Sequence, residues 1–201
     1  MRRSGPVAGV IVRPMRAGDA VLHRDFLARV DSGDLRQRFG RDLADVPRSE
    51  LARLRAVDRG REIVFVATIP RAGGGREIAG EVRARADPAP YGARSEFAIV
   101  VRSDLQRLGL GRLLLERLIA ECRPRKVQQL YGLVAASNAG MLALARRTGF
   151  DIDLVPGAST VVVWLDLGSA APKSPGGGRR NERAGRAAGR VRAAGLQIGS
   201  R

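Results

Sequence analysis

The sequence predicts a mixed α/β domain, a central sheet flanked by helices, and three observations predict it. Apolar β-branched runs alternate with segments of helical periodicity in the order β, helices, β-β-β, α, β, α, β-β. Glycine, proline and asparagine turn signals separate these segments. The chain has 201 residues, 44% of them hydrophobic, enough for one well-buried domain and too few for two ordinary ones. That apolar fraction also excludes a chain disordered throughout. No internal repeat is visible.

Val10–Met15 reads as a first strand that ends at Arg13-Pro14. Asp19 is placed to cap a helix whose inward face is Leu22, Phe26 and Val30. A second helical piece spans Leu35–Phe39, and Pro47 opens a helix with Leu51, Leu54 and Val57 inward. Ile63–Ile69 is an apolar strand, and Gly73-Gly74-Gly75 turns the chain into a second strand, Glu77–Ala86. Ser95–Val101 is the next strand. Leu108–Arg123 is a strong helix, with Leu110, Leu114 and Leu118 in one row and Leu115, Ile119 and Cys122 in the next. Arg112–Glu116 and Arg117–Glu121 are i,i+4 pairs on its outer side. Gln129–Val134 is a strand and Asn138–Arg147 a helix ended by Gly149. Phe150–Leu154 and Thr160–Leu167 close the domain as a hairpin.

Lys and Arg number 36 against 20 acids, a net charge of +16, and all the bases but Lys126 and Lys173 are Arg. Such a balance suggests nucleic acid until the charge is located. From residue 168 the chain becomes Gly, Ala, Ser, Pro and Arg. Residues 169–201 hold eight bases and one acid, a charge of +7, leaving +9 for residues 1–168. With so few large apolar residues, 168–201 reads as a disordered basic tail after a domain spanning 1–167. Any contact with nucleic acid would run through that tail, where few aromatics interleave for base stacking. A single cysteine, Cys122, excludes a disulfide framework and a multi-cysteine zinc site, and suits a reducing cytoplasm. It faces inward as packing rather than as a nucleophile. A single histidine, His23, leaves no histidine cluster for a metal and reads as a solvated helix residue; Tyr131 and Trp164 read as core. The uncharged run Val127–Ala145 has 19 residues but contains Gly132, Asn138 and Gly140, so it reads as strand, turn and helix rather than a membrane span. No secretory signal is visible, because Arg13 breaks the first apolar stretch.

The most informative stretch is Gln106-Arg107-Leu108-Gly109-Leu110-Gly111-Arg112, where a strand ends and two glycines open the long amphipathic helix. Glycines let the backbone approach a ligand closely, and free amides at a helix N-terminus favour an anion such as pyrophosphate, to which Arg107 and Arg112 add charge. The third glycine of a dinucleotide fingerprint is missing, Leu114 standing there, and no Gly-Lys-Ser/Thr follows. On these glycines alone, a turn with nothing bound stands beside the anion site.

These residues resemble the Gln/Arg-x-x-Gly-x-Gly/Ala signature of the GCN5-related N-acetyltransferases (GNAT). A second resemblance lies about 30 residues on, where Asn138 opens a helix that runs to Gly149-Phe150. Over roughly residues 9–167 the chain is similar to that family. It is most similar to the catalytic domain of bacterial Pat-type protein lysine acetyltransferases, through Ile11–Pro14, Leu35–Phe39 and Glu96–Val101. The resemblance implies the GNAT fold, with a mixed, mostly antiparallel central sheet. It implies acetyl-CoA as co-substrate, no metal, and direct transfer of acetyl to a primary amine, that of a protein lysine or a small molecule. It implies that Gln106, Arg107, Leu108, Gly109, Leu110, Gly111 and Arg112 hold the pyrophosphate. Main-chain amides of Val100 and Val101 would then hold the pantetheine arm or the thioester carbonyl. A fold kept as a non-catalytic acyl-CoA-binding regulatory module is the alternative.

An amine with a pKa of about 10.4 must lose a proton before it attacks, and base assistance contributes about 10²–10⁴-fold. By resemblance the base is Glu96, ten residues before Gln106; the other reading is a strand carboxylate paired with Arg94 or Arg83. Apolar neighbours Phe97, Ile99 and Val101 are expected to raise its pKa. Asn138 either bonds the pantetheine or caps its helix. Many relatives carry a tyrosine four residues before the Gly-Phe glycine, as donor to the leaving thiolate. Ala145 stands there, leaving that role to water.

Overall fold

The computed structural model describes residues 7–39, 57–88, 93–153 and 157–168. Runs of β-branched and aromatic residues form strands at Ile11–Pro14 (β1), Glu62–Pro70 (β2), Arg76–Ala86 (β3), Arg94–Val101 (β4), Gln129–Ala135 (β5), Asp151–Asp153 (β6) and Thr160–Asp166 (β7). Helices span Ala20–Leu27 (α1), Ser32–Phe39 (α2), Leu110–Cys122 (α3) and Ala139–Arg147 (α4). The helix expected after Pro47 and the tail expected beyond residue 168 lie outside the described residues, apart from Val57, which is not helical, and Gly168.

One seven-stranded sheet runs in the order β1-β2-β3-β4-β5-β7-β6. Every pairing is antiparallel except β4 with β5. The triple-glycine turn joins β2 to β3, all three glycines standing at positive φ as the sequence requires. Alternation along the strands sends side chains to two faces. One face (Phe65, Val82, Phe97, Leu130, Val163) packs against both predicted rows of α3 and against Leu142 and Ala145 of α4. The other face carries Val64, Val66, Ile78 and Val100, covered by Phe26, Leu27, Val30 and Leu35 of the α1–α2 segment.

That second face also holds buried charge, and here two expectations fail. His23 is not solvated: it is 1% exposed, its Nε2 2.6 Å from Glu81 Oε2 on β3. Arg83 Nε donates to Glu81 Oε1 (3.1 Å), and its terminal nitrogen lies 3.4 Å from Glu62 on β2. A helix stripe of Leu22, Phe26 and Val30 gives no sign that the position between the first two takes a carboxylate from the sheet. Asp19 does not cap α1 with its side chain either. Its carboxylate accepts both arms of the Arg13 guanidinium (2.6 and 2.7 Å) and the Arg16 amide (2.8 Å), tying β1 to the turn before α1. The arginine of the preceding strand outcompetes the local cap because it offers two charge-assisted bonds to one carboxylate.

The hydrogen bonds from Arg13 hold the buried Asp19 carboxyl below its ordinary pKa, outweighing the burial that opposes them. A carboxylate whose folded pKa is depressed contributes stability above its unfolded pKa, about 3.9, and loses it as pH falls through the folded value. Asp19→Asn is therefore expected to destabilise the domain by about 1–3 kcal/mol at neutral pH. Denaturant unfolding across pH should show the gap to wild type narrowing only below about pH 4.

Candidate active site

β4 and β5 run parallel, but their ladder holds only through Arg94↔Gln129, Ser95↔Leu130 and Glu96↔Tyr131. Beyond that point they splay. The Phe97 ring fills the wedge: a Cβ on Gly132 would lie 2.7 Å from its Cε1, so only glycine admits the ring there. Phe97 packs in turn against Phe150, ring centroids 5.1 Å apart.

The β3–β4 register decides which backbone groups face the splay. Arg102 N donates to Ala79 O and Asp87 N to Arg94 O, so the even-numbered residues of β4 exchange bonds with β3. Val100's amide therefore belongs to the ladder opposite Glu81, and of the two amides expected in the site only Val101's faces the gap. Ile99's, which sequence reading missed, joins it. The signal was the parity of the register, invisible until β4 had a partner. Val101's carbonyl faces the same way and accepts Gln106 Nε2 at 3.5 Å.

From β4 the chain passes through a 3₁₀ turn, Ser103–Leu105, into the glycine loop. Arg107 (φ +63°) and Gly109 (φ +86°) both take the left-handed conformation, Gly109 as the N-cap of α3. The first intrahelical bond is Leu113 N to Gly109 O, so the amides of Leu110, Gly111 and Arg112 have no partner one turn back. Nothing lies within 4 Å of the position a Gly109 Cβ would occupy, and Leu108 is half-buried beside it. Gly111 lets α3 approach α4, where a Cβ would meet Leu144 Cδ2 at 3.1 Å. The Arg112 side chain is drawn along α3 by Glu116 (2.7 Å), the pair the sequence predicts. Gln106 donates to Asp34 Oδ2 of α2 at 2.7 Å. Open amides, two left-handed residues and the positive end of a 13-residue helix make a cradle suited to an anion. Asn138 Oδ1 accepts the Met141 amide (2.9 Å) and so caps α4.

Glu96 stands at the apex of the splay, exposed, opposite Arg85 on β3 and Tyr131 on β5. Phe97, Ile99 and Val101 point to the opposite face, into the α3–α4 core, so they do not surround its carboxylate as the sequence reading expected. Of the two arginines considered as its partners, Arg83 lies against Glu81 and Glu62, and Arg94 against Asp87. Tyr131 is buried and donates its hydroxyl to Asp87 (2.9 Å). Burial first, then that hydrogen bond, push its pKa well above the usual phenol range. Trp164 is half-buried on the same open face beside Tyr131, not in the core. Cys122 is fully buried, and desolvation pushes its thiol up to about 12, which leaves it inert. Among the described residues no three His, Cys, Asp or Glu side chains converge on a point, and no helix is long and apolar enough to cross a membrane.

Residues 34–150 match the Acetyltransferase (GNAT) family. The chain is similar to the acetyltransferase PA5475 of Pseudomonas aeruginosa, 28% identical over 77% of this chain and 81% of that protein. Over a shorter stretch of 55 residues (27% of this chain, 37% of the relative) it is 51% identical to the [ribosomal protein bS18]-alanine N-acetyltransferase of Salmonella typhimurium. Among solved structures, the GNAT domain of S. lividans PAT shares the fold, with TM-score 0.69, 23% identity and coverage of 78% of this chain and 89% of that one.

Because Gly109 sits at φ +86° in open space, a side chain there costs backbone strain rather than packing. Gly109→Ala is expected to lower stability by about 1–2 kcal/mol, read from the shift of the denaturant midpoint at unchanged m.

Proposed function

The chain belongs to the GNAT family of acetyltransferases, and on that premise we propose that it moves acetyl from acetyl-CoA directly to a primary amine of a protein, a lysine side chain, with Glu96 as general base. One observation carries the reading: the β4–β5 splay places an exposed carboxylate at its apex, free amides along its edge and a helix N-terminus at its end. The cradle of Arg107–Arg112 would hold the pyrophosphate, and the amides of Ile99 and Val101 would lie along the pantetheine arm. Asn138, whose Oδ1 caps α4, would bond the pantetheine arm or support it by fixing that helix. Acetyl-CoA, when bound, supplies an acetyl thioester whose carbonyl is open to attack by an amine. Glu96 removes the proton that an ammonium carries at neutral pH, and its exposure lets that proton pass on to water. A protein acceptor fits this arrangement because the carboxylate is exposed.

A second reading changes the acceptor alone: the α-amine of a protein N-terminus. The 51% match over 55 residues to an enzyme named as a ribosomal-protein alanine N-acetyltransferase favours it. An α-amine with a pKa of about 7.7–8.0 needs less from its base than a lysine does.

The deciding experiment offers lysine peptides, peptides with a free N-terminal alanine, polyamines and amino sugars with acetyl-CoA, and measures free thiol. A lysine peptide is expected to give the fastest release, and Glu96→Gln to slow it at least about tenfold while acetyl-CoA still raises the melting temperature. Unchanged turnover in Glu96→Gln removes the base from Glu96. Stabilisation by acetyl-CoA with no thiol released on any amine makes the protein a binding module, and no stabilisation of the wild type ends the cofactor reading.

A further inference from the structure

The helices over one face of the sheet and the glycine loop at the end of β4 are far apart in sequence, yet a single carboxylate joins them. Asp34 lies in the first turn of α2, half-buried, and its Oδ2 accepts two side-chain hydrogen bonds from the β4–α3 connection, from Ser103 Oγ at 2.5 Å and from Gln106 Nε2 at 2.7 Å. Ser103 Oγ accepts in turn from the backbone amide of Asp31 (3.0 Å), while Leu35 N closes the first turn onto Asp31 O. In an ordinary capping box the acidic residue three places into a helix accepts the N-cap amide directly. Here a hydroxyl from the loop is interposed, so the N-terminus of α2 is closed only while Ser103 is in place. The dependence is mutual: neither α2 nor the loop satisfies its polar groups in this way without the other.

A second strut runs beside the first. Arg102, at the end of β4, holds Asp104 with two nitrogens (2.7 and 2.9 Å) and Glu77 of β3 (2.6 Å), and Glu77 also accepts Arg29 from the segment after α1 (2.7 Å). Immediately past these anchors stands Arg107 at φ +63°, a conformation that strains a non-glycine residue and persists only where its surroundings over-determine it. Gln106, the residue before it, is the one Asp34 grips.

We propose that Asp34 is a positioning residue for the acetyl-CoA loop, holding Gln106 and Ser103 so that residues 107–109 stay in the anion-binding conformation, and thereby linking cofactor loading to the placement of α2. This rests on the cofactor reading above. Without the latch the strained loop relaxes, and part of the binding energy of the cofactor must restore it. The link is reciprocal, so a bound cofactor stabilises α2 by as much as α2 stabilises the bound loop.

The test measures binding of CoA and of acetyl-CoA to the full chain by calorimetry, with hydrogen exchange of α2 in parallel. Asp34→Ala is expected to weaken binding about tenfold, raising KM for acetyl-CoA more than it lowers kcat. It should also abolish the slowing of α2 exchange that CoA produces in the wild type. Gln106→Glu sets two carboxylates against each other and should weaken binding similarly; adding Asp34→Asn restores a donor–acceptor pair with the roles exchanged and should recover most of the loss. That double variant decides the matter where Asp34→Ala fails to fold. Wild-type affinity in Asp34→Ala overturns the proposal, as does α2 exchange indifferent to CoA, or a Gln106→Glu defect that Asp34→Asn leaves unrelieved. A wild type that binds no CoA overturns the cofactor reading instead, which keeps the two failures apart.

Discussion

Phe97 against Gly132 is the contact on which the remainder of the site depends. Parallel strands would ordinarily continue their ladder as far as both extend, since each unmade bond leaves a donor and an acceptor to be satisfied elsewhere. Here a ring occupies the place of a side chain at position 132, and the ladder stops at Glu96↔Tyr131. Ending it leaves the backbone groups of Ile99 and Val101 without a partner on β5, aims the end of β4 toward the start of α3, and puts Glu96 where the two strands part. One of the released groups, the Val101 carbonyl, is met by Gln106. The amides of Ile99 and Val101 face the same gap, and a ligand that lies along a strand edge satisfies them as a third strand would.

The opposite flank of Glu96 is organised by charge. His23, Glu81, Arg83 and Glu62 form a chain of contacts under α1, and the first three are less than a tenth exposed. Burying such groups is costly unless each is paired, and it rewards one arrangement over its neighbours. A purely apolar α1 could rotate or slide on Val64, Val66 and Ile78; the 2.6 Å contact between His23 and Glu81 allows one register. On the far side of Glu96, Tyr131, Asp87 and Arg94 form a second anchored group, with the Arg94 guanidinium over the Tyr131 ring at 4.6 Å. The carboxylate thus stands exposed between two groups of paired side chains.

Legibility in the sequence followed the range of the interaction. The rows of α3, the triple-glycine turn, the Gly149 stop and the order of strands and helices were all readable, because each is set by residues within a few positions of one another. The glycine loop was readable for the same reason: strand, turn and helix N-terminus are adjacent along the chain. What escaped was set across strands. His23 is buried because Glu81 is there, 58 residues on. Asp19 serves Arg13, six positions back, instead of a helix, because the turn after β1 folds it against that strand's own arginine. Whether Val100 or Ile99 offers its amide depends on the parity of the β3–β4 register, which no local pattern encodes. The loss of Phe97, Ile99 and Val101 as neighbours of the Glu96 carboxylate is the same error in simpler form, since residues adjacent on a strand face opposite sides.

The proton traffic of the proposed reaction follows from what the open face lacks and what it has. Ala145, fully buried, stands where a tyrosine would serve as donor in related proteins. Tyr131, the nearest phenol by register, has its proton committed to Asp87 and its pKa pushed upward, which makes it a poor donor to a thiolate. A thiolate whose conjugate acid has a pKa of about 8.5 needs no dedicated donor at neutral pH, because water and buffer protonate it readily. The lysine ammonium, at about 10.4, is the group that cannot react without help. Assistance is therefore needed at one end of the transfer and not at the other. In the proposed reaction the exposed Glu96 would supply that assistance and pass the proton it takes to solvent.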